Sequence, residues 1–127
     1  MAGMDNDMMA WLRAQLDADE RAASAASPGP WGHNPTTEFR MPGTGPLEFV
    51  GGGVADTPEY YGVAATGPAD DPQSMADAAH IARHDPTHVR FDVAAKRQIV
   101  DRYGESDVVR LLAAGYRDRP GYREEWN

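Results

Sequence analysis

Between Pro28 and Pro72 the chain cannot sustain a long helix. Glycine or proline returns every few residues, and the apolar residues arrive in brief pieces rather than at helical spacing. Proline fixes φ and removes a backbone donor, and glycine loses the most freedom when it is ordered. That segment is therefore restricted to turns, loops and short strands, and helical sequence is confined to its flanks. The expected fold class is mainly α: a small bundle of about four helices, with a Gly/Pro-rich middle that forms a short β-hairpin. At 127 residues the chain is expected to be a single small domain. It divides into helix 1 (5–26), a loop and hairpin segment (28–71), helices 2–4 (72–118) and a C-terminal tail (119–127).

Helix 1 follows from Met4, Met8, Leu12 and Leu16 at spacing four, with Trp11 widening the stripe and Asp17, Glu20 and Arg21 opposite. Asp5 or Asn6 caps its start, and Ser27-Pro28-Gly29-Pro30 stops it. Asp71-Pro72 opens helix 2, with Met75, Ala78, Ala79 and Ala82 on one face to about His84. Asp85-Pro86 repeats that capping pattern for helix 3, residues 86–103, which carries Val89, Val93, Ile99, Val100 and Tyr103 and ends at Gly104. Ser106 or Asp107 caps helix 4, where Val108, Leu111, Leu112 and Gly115 share a face. In the middle, Leu47-Glu48-Phe49-Val50 is expected to pair with Tyr60-Tyr61-Gly62-Val63-Ala64. Gly51-Gly52-Gly53 reads as a flexible turn between them, since no Lys-Ser or Lys-Thr follows as a phosphate loop requires.

The chain has no cysteine, which removes disulfides, thiolate catalysis and zinc–thiolate schemes. Met1 to Met9 carries Asp5 and Asp7 and no basic residue, and no apolar run approaches the ~18 residues of a membrane span, so a soluble, unprocessed, cytoplasmic protein is expected. The net charge of -8 sits in residues 1–71, where Arg13, Arg21 and Arg40 face eleven acidic side chains; residues 72–127 hold nine of each sign. An acidic field of this kind repels phosphate backbones, so nucleic acid is not the expected partner. Arg90, Lys96, Arg97 and Arg102 on helix 3 are interspersed with Asp92 and Asp101, the pattern of solvated ion pairs rather than of a phosphate-binding face.

The densest polar constellation is Asp77, His80, His84, Asp85 and His88. Spacing of four puts His80 and His84 on one helical face, where two imidazoles can hold a divalent metal such as zinc with Asp77 or Asp85 completing the set. No glutamate follows His80 in the zincin manner, and Asp85-Pro86 interrupts the stripe before His88. Structural roles compete with that reading: His84 at a helix C-terminus favours the carbonyl end, and His80 bonds the backbone. Neither Ser74 nor Ser106 lies in a Gly-x-Ser-x-Gly elbow. The aromatic residues Trp31, Tyr60, Tyr61, Tyr122 and Trp126 supply either core anchors or contact area for a protein partner.

Three segments in succession carry a resemblance: Met8-Met9-Ala10-Trp11-Leu12-Arg13-Ala14-Gln15-Leu16-Asp17-Ala18-Asp19-Glu20; Ala79-His80-Ile81-Ala82-Arg83-His84-Asp85-Pro86 with Ala94-Ala95-Lys96-Arg97-Gln98-Ile99-Val100; and Leu111-Leu112-Ala113 with Pro120-Gly121-Tyr122-Arg123-Glu124-Glu125-Trp126. Together they resemble a domain-of-unknown-function family of small actinobacterial and actinophage proteins. The resemblance implies origin rather than activity. It also implies a cysteine cluster near residues 104–107 in many relatives, where this chain reads Gly-Glu-Ser-Asp and cannot bind zinc in that way. The expected function is that of a non-enzymatic interaction or accessory protein, with no cofactor, acting on a host or virion protein and able to form a homo-oligomer. The alternative is a metal-binding module or metal-dependent enzyme centred on His80 and His84, and a third reading is DNA-directed action through helix 3.

Overall fold

The computed structural model describes residues 2–33, 39–41, 45–53 and 57–127, and of residues 2–5 and 39–41 the backbone alone. The elements are α1 (Ala2–Ala25), β1 (Trp31–His33), β2 (Phe39–Met41), β3 (Gly45–Gly52), β4 (Tyr61–Pro68), α2 (Pro72–Arg83), α3 (Pro86–Tyr103), α4 (Asp107–Ala114) and a terminal 3-10 turn (Glu124–Trp126). Residues pack into two compact units, Ala23–Val89 on the one hand and Met1–Ala22 with Arg90–Asn127 on the other.

The Ala23–Val89 unit corrects the expectation of a mainly α fold to a mixed α/β one, because the middle segment builds a four-stranded antiparallel sheet and not merely a hairpin. β3 is its centre. One edge pairs with β4, from Leu47 opposite Pro68 to Gly52 opposite Tyr61. The other edge takes β2 at Gly45–Leu47 and β1 at Val50–Gly52. The hairpin partners were legible, whereas β1 and β2, at three residues each, fall below the length at which a strand pattern can be read. α2 lies against β1, β3 and β4, and Phe49, Val50 and Ala78 are buried in this unit. Gly51 and Gly52 are strand residues rather than a flexible turn. They are buried, and a Cβ on Gly51 would collide with the Tyr60 hydroxyl and one on Gly52 with the Tyr61 ring, so the missing side chains make room for the two phenols.

α2 begins as its sequence dictates: the Asp71 carboxylate accepts the Ser74 N–H at 3.0 Å, and Pro72 occupies the first turn. The buried face is set differently from the expected one. Ser74 and Ala78 are buried while Met75 is 44% exposed. Ser74 turns inward because its hydroxyl donates to Asp71 at 2.9 Å and its carbonyl accepts the Thr66 hydroxyl of β4 at 2.7 Å.

In the other unit, Met8, Met9, Leu12 and Leu16 of α1, Val93 and Val100 of α3, Val109 and Ala113 of α4, and Tyr116 and Trp126 form the core. Met8, Leu12 and Leu16 are three of the four stripe residues expected of helix 1, and the Met4 side chain lies outside the described residues. α3 spans the expected residues 86–103 and stops at Gly104, whose φ is +53°. α4 is rotated from the expected face: Val109 and Ala113 are buried, and Val108 and Leu111 point outward. Two bonds accompany that arrangement. The Ser106 hydroxyl caps the Val109 N–H at 3.3 Å, and the Tyr116 hydroxyl accepts from Lys96 of α3 at 3.0 Å.

Candidate functional site

α2 and α3 meet at a corner built on Asp85. Its carboxylate is buried, and both oxygens are occupied: Oδ1 accepts the His88 N–H at 2.8 Å and Oδ2 accepts the Trp31 N–H at 2.8 Å. The first bond caps α3, and the second fastens the start of β1. Asp85 is thus a brace, with neither oxygen aimed at the imidazoles. Asp77 accepts the Gln73 side-chain amide at 2.9 Å. Of the sequence-predicted set Asp77, His80, His84 and Asp85, the structure brings His80 and His84 together, with ring centroids 4.4 Å apart, and gives both carboxylates other partners. His88 stands edge-on to His84 at 5.9 Å. All three rings are exposed. His84 ends α2, its ring Nδ1 lying 2.8 Å from the His80 carbonyl oxygen and its backbone N–H donating to Ile81. Among the described residues no group of three or more His, Asp or Glu is placed to hold a metal ion.

The expected partner-binding aromatics lie in both units. In Ala23–Val89, Trp31, Tyr60 and Tyr61 are half-buried. The Trp31 indole donates to the Ser27 carbonyl at 3.0 Å. Tyr60 packs edge-on against Phe49 at 6.1 Å, its hydroxyl buried without a hydrogen-bond partner. Burial pushes that phenol above its ordinary pKa, since the phenolate would lose solvation.

In the other unit, the C-terminal residues expected as a tail form a clasp on α1. Trp11 meets Tyr122 and Trp126 with ring centroids 5.5 Å away in each case. The Trp11 indole donates to the Pro120 carbonyl at 3.0 Å. Gly121 has φ of +92°, and a Cβ there would approach Trp11 Nε1 to 2.7 Å, so the turn needs glycine on two counts. Arg119 pairs with Asp19 at 2.8 Å and Arg123 with Asp7 at 3.2 Å. Trp126 is 1% exposed and belongs to the core, the first of its two expected roles rather than the partner-binding one; Tyr122 is half-buried, its hydroxyl on Asn127. Two of the four cations of α3, Lys96 and Arg97, are also engaged. Arg97 joins Asp17 and Glu20 of α1. Lys96 holds Asp92 at 2.8 Å, and although burial disfavours its charge, hydrogen bonds to Asp92 and Tyr116 outweigh burial and raise its pKa.

The large apolar side chains that remain in solvent were not among the expected anchors. Phe91 is 73% exposed and Tyr103 51% on α3, and Leu111 is 75% exposed and Val108 45% on α4. Phe91, Ala95, Ile99 and Tyr103 recur at spacing four, a second stripe beside the buried Val93 and Val100, and that spacing was the available signal. An open depression of about 230 Å³ runs along this helix, lined by Ala95, Gln98, Ile99, Arg102 and Tyr103.

No curated protein and no solved structure gives a significant match to the chain. The sequence model of a family of unknown function (DUF6221) matches residues 5–127, and the chain belongs to that family.

Proposed function

We propose that this is a non-enzymatic interaction or accessory protein, of actinobacterial or actinophage origin, that docks onto a protein of the host cell or of a virion in the cytoplasm. The observation that carries the reading is the exposure of Phe91 at 73% and Leu111 at 75% on consecutive helices. Single exposed apolar residues are ordinary on protein surfaces, but Phe91 shares its helical stripe with the half-buried Ile99 and the exposed Tyr103, and side chains of this kind supply the apolar contact from which interfaces are built. Acceptor side chains at the helix starts are taken up by capping. Asp71, Asp85 and Ser106 accept helix N–H groups, and Ser74 bonds Asp71. Trp31, Tyr60, Tyr61 and Tyr122 remain half-buried contributors to contact area.

The test is affinity capture from an actinobacterial lysate with the wild-type chain, Phe91→Glu and Leu111→Glu, each first shown to be folded by circular dichroism. A defined protein retained by the wild type, lost with both variants and then bound as a purified component supports docking through α3 and α4. Recovery of the same proteins by all three chains refutes it. Sedimentation of the wild type against Phe91→Glu separates a foreign partner from a second copy of this chain.

A further inference from the structure

We propose that His80 and His84 form a two-imidazole chelate for a borderline divalent transition metal, with Cu²⁺ bound most strongly. A carbonyl oxygen can only accept a hydrogen bond. The 2.8 Å contact from His84 Nδ1 to the His80 carbonyl therefore places the proton on Nδ1 and leaves the Nε2 lone pair of the neutral ring free. This is the arrangement in metal-ligating histidines, where the second nitrogen donates to a carbonyl and so fixes tautomer and ring direction. His80, one turn earlier, puts its ring 4.4 Å from that of His84. Among the described residues no hydrogen bond holds the His80 ring, so it can turn toward a shared ion.

Both rings are exposed, so an ion there keeps solvent in its remaining positions. They also sit at the last turn of α2, where the negative end of the helix dipole favours a cation. Arg83, in the same turn, opposes that field. Asp77 and Asp85 are left out of the ligand set, since they are engaged with Gln73 and with the Trp31 and His88 amides. With two nitrogens and water, the site lacks the closed tetrahedral shell of structural zinc. It suits tetragonal Cu²⁺, with Ni²⁺ and Zn²⁺ weaker in the Irving–Williams order. This site is independent of the docking surface on α3 and α4.

Titration of the full chain with Cu²⁺ in a non-coordinating buffer, followed by calorimetry and by electron paramagnetic resonance, tests the site. We expect one ion per chain and a spectrum with two imidazole nitrogens. Removing one of two ligands, in His80→Ala or His84→Ala, should weaken binding at least ~10-fold, and Asp77→Asn and His88→Ala should leave it unchanged. The His80→Ala chain keeps every hydrogen bond of the corner, which makes it the decisive variant. Absence of saturable binding, unchanged binding in His80→Ala, or an equal loss in Asp77→Asn or His88→Ala overturns the two-imidazole assignment.

Discussion

Asp85→Ala is the perturbation that most directly tests the corner as a brace. The substitution removes two bonds to a buried carboxylate. Loss of an N-cap costs about 0.5–2 kcal/mol, and here the lost contact is the 2.8 Å bond to the His88 N–H. Loss of a bond to a charged acceptor costs about 1.5–3 kcal/mol, and here it is the 2.8 Å bond from the part-buried Trp31 N–H. Relief from burying a charge offsets part of the sum, leaving a net loss of about 2–3 kcal/mol. Asparagine can accept through only one atom, so Asp85→Asn should keep the helix cap, turn an amide N–H₂ toward the remaining donor and lose about half as much. Urea denaturation followed by far-ultraviolet circular dichroism gives the free energies. Amide exchange at Trp31 and His88 shows which bond each variant has lost. The reasoning fails if Asp85→Ala lies within ~0.5 kcal/mol of the wild type, the range of an uninvolved surface position. It also fails if Asp85→Ala leaves the exchange of both amides unchanged.

Tyr60→Phe should stabilise the chain by up to about 1 kcal/mol, since the hydroxyl it deletes is buried without a partner; a loss of stability by thermal melting would show a bond that the geometry does not contain. The raised Tyr60 pKa favours the neutral phenol in the folded state. Its contribution is therefore fully present below about pH 10 and is lost as pH rises through the folded value, so absorbance at 295 nm should show a late-titrating phenol absent from Tyr60→Phe. Gly121→Ala should cost about 1–3 kcal/mol, from left-handed backbone and contact with Trp11 together. Gly104→Ala meets open space and should cost less, so equal losses in the two melts would remove the Trp11 contact from the account.

Helices were readable here wherever capping chemistry and periodicity agreed. Asp71-Pro72 and Asp85-Pro86 mark helix starts through an acceptor side chain and a residue with no N–H to satisfy, and both helices begin there. Rotation of a helix about its axis was less readable, because periodicity counts apolar residues and not the bonds that orient them. Val108, Leu111 and Leu112 outweigh Val109 and Ala113 in hydrophobicity, yet the smaller pair is buried, and no count of apolar residues within the helix shows it. The sheet escaped for another reason. Gly51 and Gly52 carry no strand signal of their own and are strand residues because they pair with Gly32 and Trp31 of β1 and with Gly62 and Tyr61 of β4, partners that a window on β3 does not contain. In the candidate site, the His80–His84 pair was legible from its spacing and the Asp85 cap from Asp85-Pro86, whereas the second bond of Asp85, to Trp31, is distant in sequence.

That division separates residues that build the fold from those left over. Trp11, Gly121 and Trp126 are accounted for by the clasp, and Asp85 by the corner. Leu111 on α4 is 75% exposed. Phe91 on α3 is 73% exposed. Burying a leucine or phenylalanine side chain stabilises by roughly 1.5–3 kcal/mol, and the isolated fold captures little of it at either site. A second surface pressed against them would capture the remainder. The binding energy of this protein should therefore reside in the residues its own core leaves uncovered, and truncating Phe91 or Leu111 should weaken docking while leaving the urea midpoint in place.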